Sequence, residues 1–360
     1  MNQNKKPISF IIILPTLFFL FSCATLKGPT QLEDGWKTAP PSEMGLNPSK
    51  LNCLSSHIED LQAYNLKLRK YYGIDSVVVV KDDHIVYENY FNGAIRSKQT
   101  NLRSAGKSYI SALFGIAMKE SDAIKDPEQC IYDFLPYENY LNWTSDKQHI
   151  KIKHVLTMTA GWDCQFNNEC SAIMEKQLDP FKWLLDLPLV ASPGVKFQYT
   201  DIVPRFMSVL IEQSVQQNIG DYAKEKLLTP LGIKSDPFTN GITTREMAKF
   251  GQLFLNKGKW GNLQLIPASW VIDSTQVHYT FQKENEFANG YGYLWRIKDF
   301  QTKTGTYPAY FAAGNGGQYI YVIPNSKMVV AFTGHNYGKQ TASEQLHELM
   351  EKYILTSIII

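Results

Sequence analysis

A serine and a lysine stand three residues apart in Ser104-Ala105-Gly106-Lys107, where an apolar periodic pattern typical of a helix begins. This spacing puts both side chains on one face of a helix, so a neutral lysine could take the proton of the serine hydroxyl. The amino end of a helix also offers unpaired N–H groups to a developing oxyanion. The pattern predicts Ser104 as a nucleophile and Lys107 as its base, although a serine cap with a solvated lysine has the same spacing.

A tyrosine and an acid follow a Pro-Gly turn as Tyr199 and Asp201. A tyrosine hydroxyl held near a lysine can move protons between a nucleophile and a leaving group. The alternative for Tyr199 is an ordinary core tyrosine whose hydroxyl is hydrogen-bonded.

A third candidate segment, Phe311 to Gln318, contains three glycines directly before an apolar strand pattern. Glycines in such a place allow close backbone approach, as the sheet edge that binds a substrate requires. A flexible hairpin turn would have the same composition.

The composition is typical of a globular protein of 360 residues, with 44% hydrophobic and 13% aromatic residues. Lys and Arg number 36 and Asp and Glu 34, so charge does not predict nucleic-acid binding. After residue 22 no stretch is long and apolar enough to predict a membrane span.

The amino-terminal residues have the pattern of an export signal. Two lysines precede an apolar core that ends in the sequence LFSC at residues 20–23, which resembles the site where bacterial lipoproteins are cleaved and lipidated. We predict a signal peptide over residues 1–22, a lipid on Cys23, and a tether with a lead-in segment over residues 23–50. A plain secretory signal or a transmembrane anchor is the alternative. The predicted location is the bacterial cell envelope, on a membrane.

Four cysteines remain after Cys23, and two of them, Cys164 and Cys170, are close enough in sequence to close one loop. In an exported protein this spacing allows a disulfide, with reduced thiols as the alternative. No histidine accompanies these cysteines at zinc-site spacing, so we predict neither a metal nor a cofactor.

Strand patterns flank a long region of helical patterns. Predicted strands cover residues 75–81, 85–90, 292–297, 318–323 and 327–332. Predicted helices cover residues 51–72, 104–118, 205–216, 219–228, 244–256 and 342–355. We therefore predict an α+β domain over residues 51–360, with an antiparallel sheet built from both chain ends, flanking helices, and a mostly helical subdomain inserted over about 110–280. The cleft between the two parts is the expected site.

The three motifs, in this order, resemble the serine β-lactamase and penicillin-binding superfamily, and most closely its class C-like branch with esterases and 6-aminohexanoate-dimer hydrolases. The resemblance extends from about Trp36 to about Tyr337. Supporting stretches are Ile152–Trp162, Leu228–Ile233 and Gly241–Gln252. It implies a β-lactamase/transpeptidase-like fold and hydrolysis through an acyl-enzyme.

The resemblance also implies roles for the matching residues. Ser104 would be acylated, Lys107 would accept its proton, and Tyr199 would relay protons. The backbone N–H groups of Ser104 and Asn315 would form the oxyanion hole. Substrate-binding positions would be Trp162, Asp201, Ala312, Gly314 and Gly316.

Two positions depart from the family pattern. Asp201 stands where the family has asparagine, so this acid could pair with Lys107 or hydrogen-bond elsewhere. Ala312-Ala313-Gly314 replaces a Lys-Thr-Gly or His-x-Gly strand motif, and the cation that would hold a β-lactam carboxylate is missing. The loss of this cation argues against efficient processing of β-lactams or D-Ala-D-Ala.

The sequence therefore predicts an exported serine hydrolase of small amides or esters, of the esterase or amidase type and with 6-aminohexanoate oligomers among the candidate substrates. A class C-like β-lactamase or DD-peptidase is the alternative enzyme. A catalytically silent relative that binds a peptide or cell-wall fragment is the alternative without catalysis. The expected partners are the substrate and the membrane lipid, with no nucleic acid and no predicted oligomeric state.

Overall fold

A computed structural model describes most of the chain after residue 27. The described residues are 28–67, 73–134, 139–164, 170–174, 176–281, 287–339 and 341–359. Cys23 and the predicted signal peptide lie outside this range. Within it, no helix has the length and apolar character needed to cross a bilayer.

Eleven strands occur in the described residues, and nine of them form one sheet. In chain order they are β1 (Lys37–Thr38), β2 (Ile74–Lys81), β3 (His84–Tyr90), β4 (Lys259–Trp260), β5 (Leu263–Gln264), β6 (Tyr279–Thr280), β7 (Gly290–Tyr291), β8 (Arg296–Thr302), β9 (Gly305–Gly314), β10 (Gln318–Ile323) and β11 (Met328–Gly334). The sheet order is β1-β3-β2-β11-β10-β9-β8-β7-β6, while β4 and β5 pair separately. All neighbours in the sheet are antiparallel except β1 and β3.

The central strands are buried on both faces, so their side chains contribute to two hydrophobic cores. Along β2, Val78 and Val80 join the core that the helical region covers, and Val77 and Val79 join the core on the opposite face. This alternation follows from the two-residue period of a strand. It explains why β2 reads as a continuous apolar run.

Helices cover both faces of the sheet and fill the middle of the chain. They are α1 (Pro48–Lys67), α2 (Gly106–Glu120), α3 (Ile152–Leu156), α4 (Cys170–Met174), α5 (Pro180–Asp186), α6 (Ile202–Val215), α7 (Ile219–Ala223), α8 (Thr244–Leu255), α9 (Ala268–Ser274) and α10 (Thr341–Leu349). Helix α8 packs across β2, β10 and β11, and α1 packs against the chain after α10 on the other face. Helix α8 begins with a capping box in which Thr243 and Glu246 satisfy each other's backbone N–H groups.

The predicted α+β class is confirmed, as is a sheet built from both chain ends around a helical middle. β2 and β3 precede the helical region, and β6 to β11 follow it. The lead-in segment also belongs to the fold. Trp36 is buried and its indole N–H donates to the backbone oxygen of Arg245 (3.2 Å).

The predicted strand over residues 292–297 is wrong in its placement. Residues 292–295 form the turn between β7 and β8, closed by a hydrogen bond from Gly292 N–H to the Trp295 oxygen (2.8 Å). Leu294 adopts a φ of 62°, and its N–H donates to the Leu156 oxygen. The run is apolar because this turn packs into the helical region, and periodicity does not distinguish that from a strand.

Helix α2 is buried along most of its length, and one glycine in it allows a close contact with α9. Gly115 faces Trp270, whose indole N–H donates to the Ser111 oxygen (2.8 Å). A Cβ at residue 115 would lie 2.1 Å from Trp270 Cδ1, so a larger residue requires the buried indole to move.

We expect Gly115→Ala to lower the free energy of unfolding by about 1–3 kcal/mol, because overpacking outweighs the preference of helices for alanine of about 1 kcal/mol. Urea unfolding measures the change. Gly106→Ala, in the same helix with no neighbouring atom within 4 Å of the added Cβ, is the control and should be neutral or stabilising. Equal stability of the two variants would contradict the contact.

Candidate active site

Ser104 lies in a tight turn directly before α2. Residues 103–105 form one turn of 3₁₀ helix that leads into α2 at Gly106. Arg103 has a φ of 52°, a left-handed conformation that few residues other than glycine adopt, and its N–H donates to the Asn101 side chain (2.8 Å). The bend leaves Ser104 partly exposed, while Lys107 on the next turn is only 6% exposed.

The Lys107 amine is the centre of the predicted catalytic group. Lys107 Nζ lies 3.2 Å from Ser104 Oγ and 2.6 Å from Asp201 Oδ1. It also lies 4.7 Å from the centroid of the Tyr199 ring. The structure thus brings together the four residues that the sequence pointed to. Asp201 was expected either to pair with Lys107 or to hydrogen-bond elsewhere, and it pairs with Lys107.

Asp201 reaches Lys107 because of its position at the amino end of α6. Aspartate at such a position usually caps the helix by accepting backbone N–H groups. Here the side chain makes no cap hydrogen bond and binds the lysine instead. The preceding loop is held by the Gln198 N–H, which donates to the Met158 oxygen (2.8 Å), and α6 packs against α2. These contacts fix the direction from which Tyr199 and Asp201 approach.

Strand β9 brings an open edge to the Ser104 turn. Strand β8 pairs with β9 only as far as Arg296 opposite Phe311, so residues 312–314 pair with β10 alone among the described strands. A Cβ on Gly314 would lie 2.2 Å from the Leu102 oxygen, so only glycine permits this approach. Ala312 lies on this segment and is buried. Gly316 follows in the turn at a φ of 99°.

The turn after β9 is held by Gln318, a residue that the sequence analysis did not identify. Its buried side chain donates to the backbone oxygens of Asn315 (3.1 Å) and Gly334 (2.9 Å) and accepts from the Gly334 N–H (2.9 Å). In the sequence, a glutamine at the start of an apolar strand was the feature that could have pointed to Gln318.

The N–H groups of Ser104 and Asn315 have no acceptor in the described part of the chain.

Trp162 does not line an open cleft, contrary to its predicted role. It is 4% exposed and packs against Phe206 with ring centroids 5.7 Å apart. With Gln198 and Thr200 it borders a cavity of about 10 Å³, no larger than one water molecule. The Trp162 backbone bridges to Leu189, and its side chain borders the same small cavity as Gln198 and Thr200, the residues on either side of Tyr199.

Cys164 and Cys170 are joined by a disulfide, with their Cα atoms 5.6 Å apart. Cys164 lies beside Thr200, with 3.9 Å between Sγ and Oγ1. The disulfide therefore adjoins the loop that carries Tyr199 and Asp201. Cys53 and Cys130 are free thiols. No group of three or more histidine, cysteine or acidic side chains in the described residues could hold a metal ion.

Arg296, at the start of β8, is a second cation near the site that the sequence did not reveal. Its guanidinium carbon lies 5.2 Å from the Tyr199 ring centroid, 4.4 Å from that of Phe287 and 5.6 Å from that of Tyr291. No acidic side chain pairs with it in the described residues. Only the sheet register brings it to Tyr199, so no local pattern indicated it.

The fold is that of the β-lactamase class, which known proteins share. Residues 73–242 match the Beta-lactamase family model. A Salmonella paratyphi B protein provisionally named a D-alanyl-D-alanine carboxypeptidase is 20% identical, over 86% of this chain and 88% of its own length.

Solved structures show the same fold. A provisionally named β-lactamase from Bacteroides dorei has a TM-score of 0.66 at 18% identity, covering 84% of this chain and 98% of its own. A provisionally named 6-aminohexanoate-dimer hydrolase from Bacillus anthracis has a TM-score of 0.61 at 21% identity, covering 83% and 81%. EstCE1, a hydrolase with promiscuous acyltransferase activity, has a TM-score of 0.63 at 14% identity, covering 83% and 98%.

The chain therefore has the fold of these β-lactamase-like and hydrolase structures. This confirms the predicted resemblance to the serine β-lactamase and penicillin-binding superfamily.

The disulfide beside the Tyr199 loop generates a stability prediction. Closing a loop of this length should contribute about 2 kcal/mol to the free energy of unfolding. We expect the double variant Cys164→Ser, Cys170→Ser to lose that amount in urea unfolding, and mass spectrometry under non-reducing conditions should find this bond in the unmodified protein. Cys53→Ser, which removes a free thiol, is the control. A double variant as stable as this control would contradict the prediction.

Proposed function

We propose that the chain is an exported serine hydrolase that forms an acyl-enzyme on Ser104 and acts on small amide or ester substrates. The observation that supports this most directly is the 3.2 Å contact between Lys107 Nζ and Ser104 Oγ, at the base of a partly exposed turn beside an open strand edge. The family match supports a hydrolase of this class.

Acylation begins once the Lys107–Asp201 ion pair has released one proton to solvent. The unprotonated Lys107 amine then takes the Ser104 proton, and Ser104 Oγ attacks the substrate carbonyl. The new C–O bond places negative charge on the carbonyl oxygen, which the N–H groups of Ser104 and Asn315 receive. Asp201, at 2.6 Å, orients the amine and stabilises the ammonium that forms. The aspartate of a serine–histidine–aspartate triad has the same role toward its base.

The tetrahedral intermediate then collapses, and its C–N or C–O bond to the leaving group breaks. The departing amine or alcohol takes the proton from Lys107, directly or through the Tyr199 hydroxyl, whose ring lies against the ammonium. Water attacks the acyl-enzyme by the reverse route, giving its proton to the same pair, and Ser104 is regenerated. The lysine–tyrosine pair thus serves both halves of the reaction.

The esterase and amidase type is the substrate class we favour. Strand β9 carries no cation at Ala312, and neighbours of similar fold include proteins named as a D-stereospecific amidohydrolase and a family VIII carboxylesterase. A carboxypeptidase-like activity is the second candidate, because the curated relatives carry that name and because Arg296 places a cation beside Tyr199.

Export and anchoring through Cys23 are part of the proposal. The basic start, the apolar core and the LFSC sequence before the described domain support them.

Covalent labelling tests the nucleophile. We expect a fluorophosphonate to modify Ser104 in the purified protein, because the Lys107 contact activates its hydroxyl, with the adduct located by peptide mass spectrometry. Ser104→Ala should lose both the label and the hydrolysis of p-nitrophenyl acetate. Ser108→Ala, which removes a buried hydroxyl on the same helix bound to the Leu294 oxygen, is the matched control. Labelling that persists in Ser104→Ala would refute the assignment.

Removing one hydroxyl tests the proton relay. Tyr199→Phe keeps the ring against Lys107 and Arg296, so we expect kcat to fall about 10²-fold without loss of fold. Tyr310→Phe, which removes a buried hydroxyl from β9, is the control and should retain its kcat. If both variants hydrolyse p-nitrophenyl acetate at the same rate as the unmodified protein, Tyr199 is only a packing residue.

A further inference from the structure

We propose that the groove between residues 142–146 and 188–192 is a second binding site, separate from Ser104, and that it binds the pyranose rings of a neutral glycan. The indole of Trp143 is the surface on which a sugar ring stacks. Three observations carry the proposal: an aromatic ring exposed in a groove of ligand size, a loop that is fixed from beneath, and the polar groups around the ring.

Trp143 presents an exposed aromatic surface to the groove. Its ring stacks on that of Tyr140, with the centroids 5.5 Å apart, and meets the Tyr132 ring edge-on at 4.9 Å. Even so, 47% of the residue is exposed, and it lines a groove of about 610 Å³. Sites for small molecules have volumes of about 300–1,000 Å³. A large aromatic side chain exposed in a concavity of that size is typical of a binding surface.

The loop that carries Trp143 is fixed by a lysine with no exposed surface. Lys147 Nζ donates to the backbone oxygens of Leu141 (3.0 Å) and Leu185 (2.7 Å). The carboxylate of the adjacent Asp186 pairs with Lys182 instead (2.8 Å). Burying an amine whose partners are backbone oxygens is unfavourable. The fold accepts that penalty in a surface loop, and the loop is thereby held in one conformation.

The residue before Trp143 is fixed as well. Asn142 has a left-handed φ of 51°, and its amide donates to the Asp186 backbone oxygen (3.0 Å). The Asp186 carboxylate accepts from the Leu141 N–H (2.7 Å). The last residue of α5 therefore anchors the turn that leads into Trp143. A ring whose supports are already ordered loses little conformational entropy when a ligand binds.

The polar groups beside the ring suit hydroxyl groups better than an anion. Thr144 and Ser145 are exposed and border the groove. Among the described residues that line it, Asp146 is the charged one, and its Oδ2 accepts from the Ser192 hydroxyl (2.5 Å). A carboxylate repels anions and accepts strongly from hydroxyl groups.

A pyranose ring matches this combination of groups. When its hydroxyls are equatorial, it has an apolar face of C–H groups that can stack on an aromatic ring, and hydroxyls around its edge that can reach polar side chains. Chains of β-1,4-linked glucose or N-acetylglucosamine consist of such rings. The groove is therefore assigned to this class of glycan.

The groove is distinct from the Ser104 site. No residue of the catalytic group is among its described lining residues. The wall over residues 188–192 is joined to the chain before the disulfide by the Trp162–Leu189 bridge and by the Val190 N–H, which donates to the Gly161 oxygen (2.8 Å). Binding in the groove requires no acylation, so the proposal does not depend on the proposed function.

Calorimetric titration with two soluble oligosaccharides tests the proposal. Cellohexaose and chitohexaose share the equatorial pyranose chain and differ in the acetamido group. We expect the purified protein to bind them with a Kd of about 0.1–1 mM, as a single stacking surface allows. Trp143→Ala should weaken binding at least about 10-fold because the stacking surface is lost, and Trp143→Tyr, with a smaller ring, should lie between the two. Tighter binding of chitohexaose would identify an N-acetylated glycan as the source, and tighter binding of cellohexaose a glucan; both results support the proposal.

Phe238→Ala is the matched control, because Phe238 is also an exposed aromatic residue but packs on the Tyr109 ring outside the groove. It should keep the affinity of the unmodified protein. Val190→Arg leaves Trp143 in place and puts a long side chain into the groove from an exposed position on the 188–192 wall, so it should also weaken binding. Variants are compared once their melting midpoints equal that of the unmodified protein.

An unmodified protein that binds neither oligosaccharide at about 10 mM, ten times the upper expected Kd, would overturn the proposal. An unchanged affinity in Trp143→Ala, or an equal loss in Phe238→Ala, would overturn it in the same way. Each of these results would leave the labelling of Ser104 unaffected. A protein that binds the oligosaccharides but is not labelled at Ser104 would overturn the proposed function alone.

Discussion

The site depends on one ion pair, the 2.6 Å contact between the buried Lys107 amine and the partly exposed Asp201 carboxylate. An ammonium that is 6% exposed is costly without a partner. Asp201 supplies that partner from the first residue before α6, and it gives up the usual capping bond to do so. The contact therefore ties α6 to α2 at a fixed distance. It also sets where Ser104 and Tyr199 stand, since both side chains lie against the same nitrogen.

A second constraint joins the sheet to the helical region. Ser104 follows the sheet's first hairpin by a short stretch of chain, whereas Asn315 comes from a strand near the carboxyl end. The two meet because Gly314 has no side chain where the Leu102 oxygen passes. Gln318 then fixes the turn by bonding across to β11 through Gly334. The proposed oxyanion site is thus made by packing between distant segments, and in the described residues neither of its two N–H groups has an acceptor.

The contact between Ser104 and Lys107 could be predicted because the proposed chemistry restricts local spacing. A lysine must lie one helical turn from its serine. The glycines must stand directly before the apolar strand, where the chain passes close to the nucleophile. Residues whose role arises only from tertiary register were not predictable. Arg296 and Gln318 have ordinary neighbours in sequence, and their contacts form only when β8, β9 and β11 align. The strand predicted over residues 292–297 was misplaced because an apolar turn buried by the fold has the same residue pattern as a strand. For a related reason, the buried Trp162 was taken for a residue that lines the cleft.

The two departures from the family pattern are physically linked. A carboxylate at residue 201 would repel an anionic substrate if it stood alone, but Lys107 pairs with it. Residue 312 carries no cation, and the neighbouring strand β8 has one at Arg296, which has no acidic partner in the described residues. Tyr199 contacts both Lys107 and Arg296. Its ring therefore lies between the Lys107–Asp201 pair and a guanidinium that has no acidic partner among the described residues. The two positive groups thus approach this ring from different elements, Lys107 from α2 and Arg296 from β8.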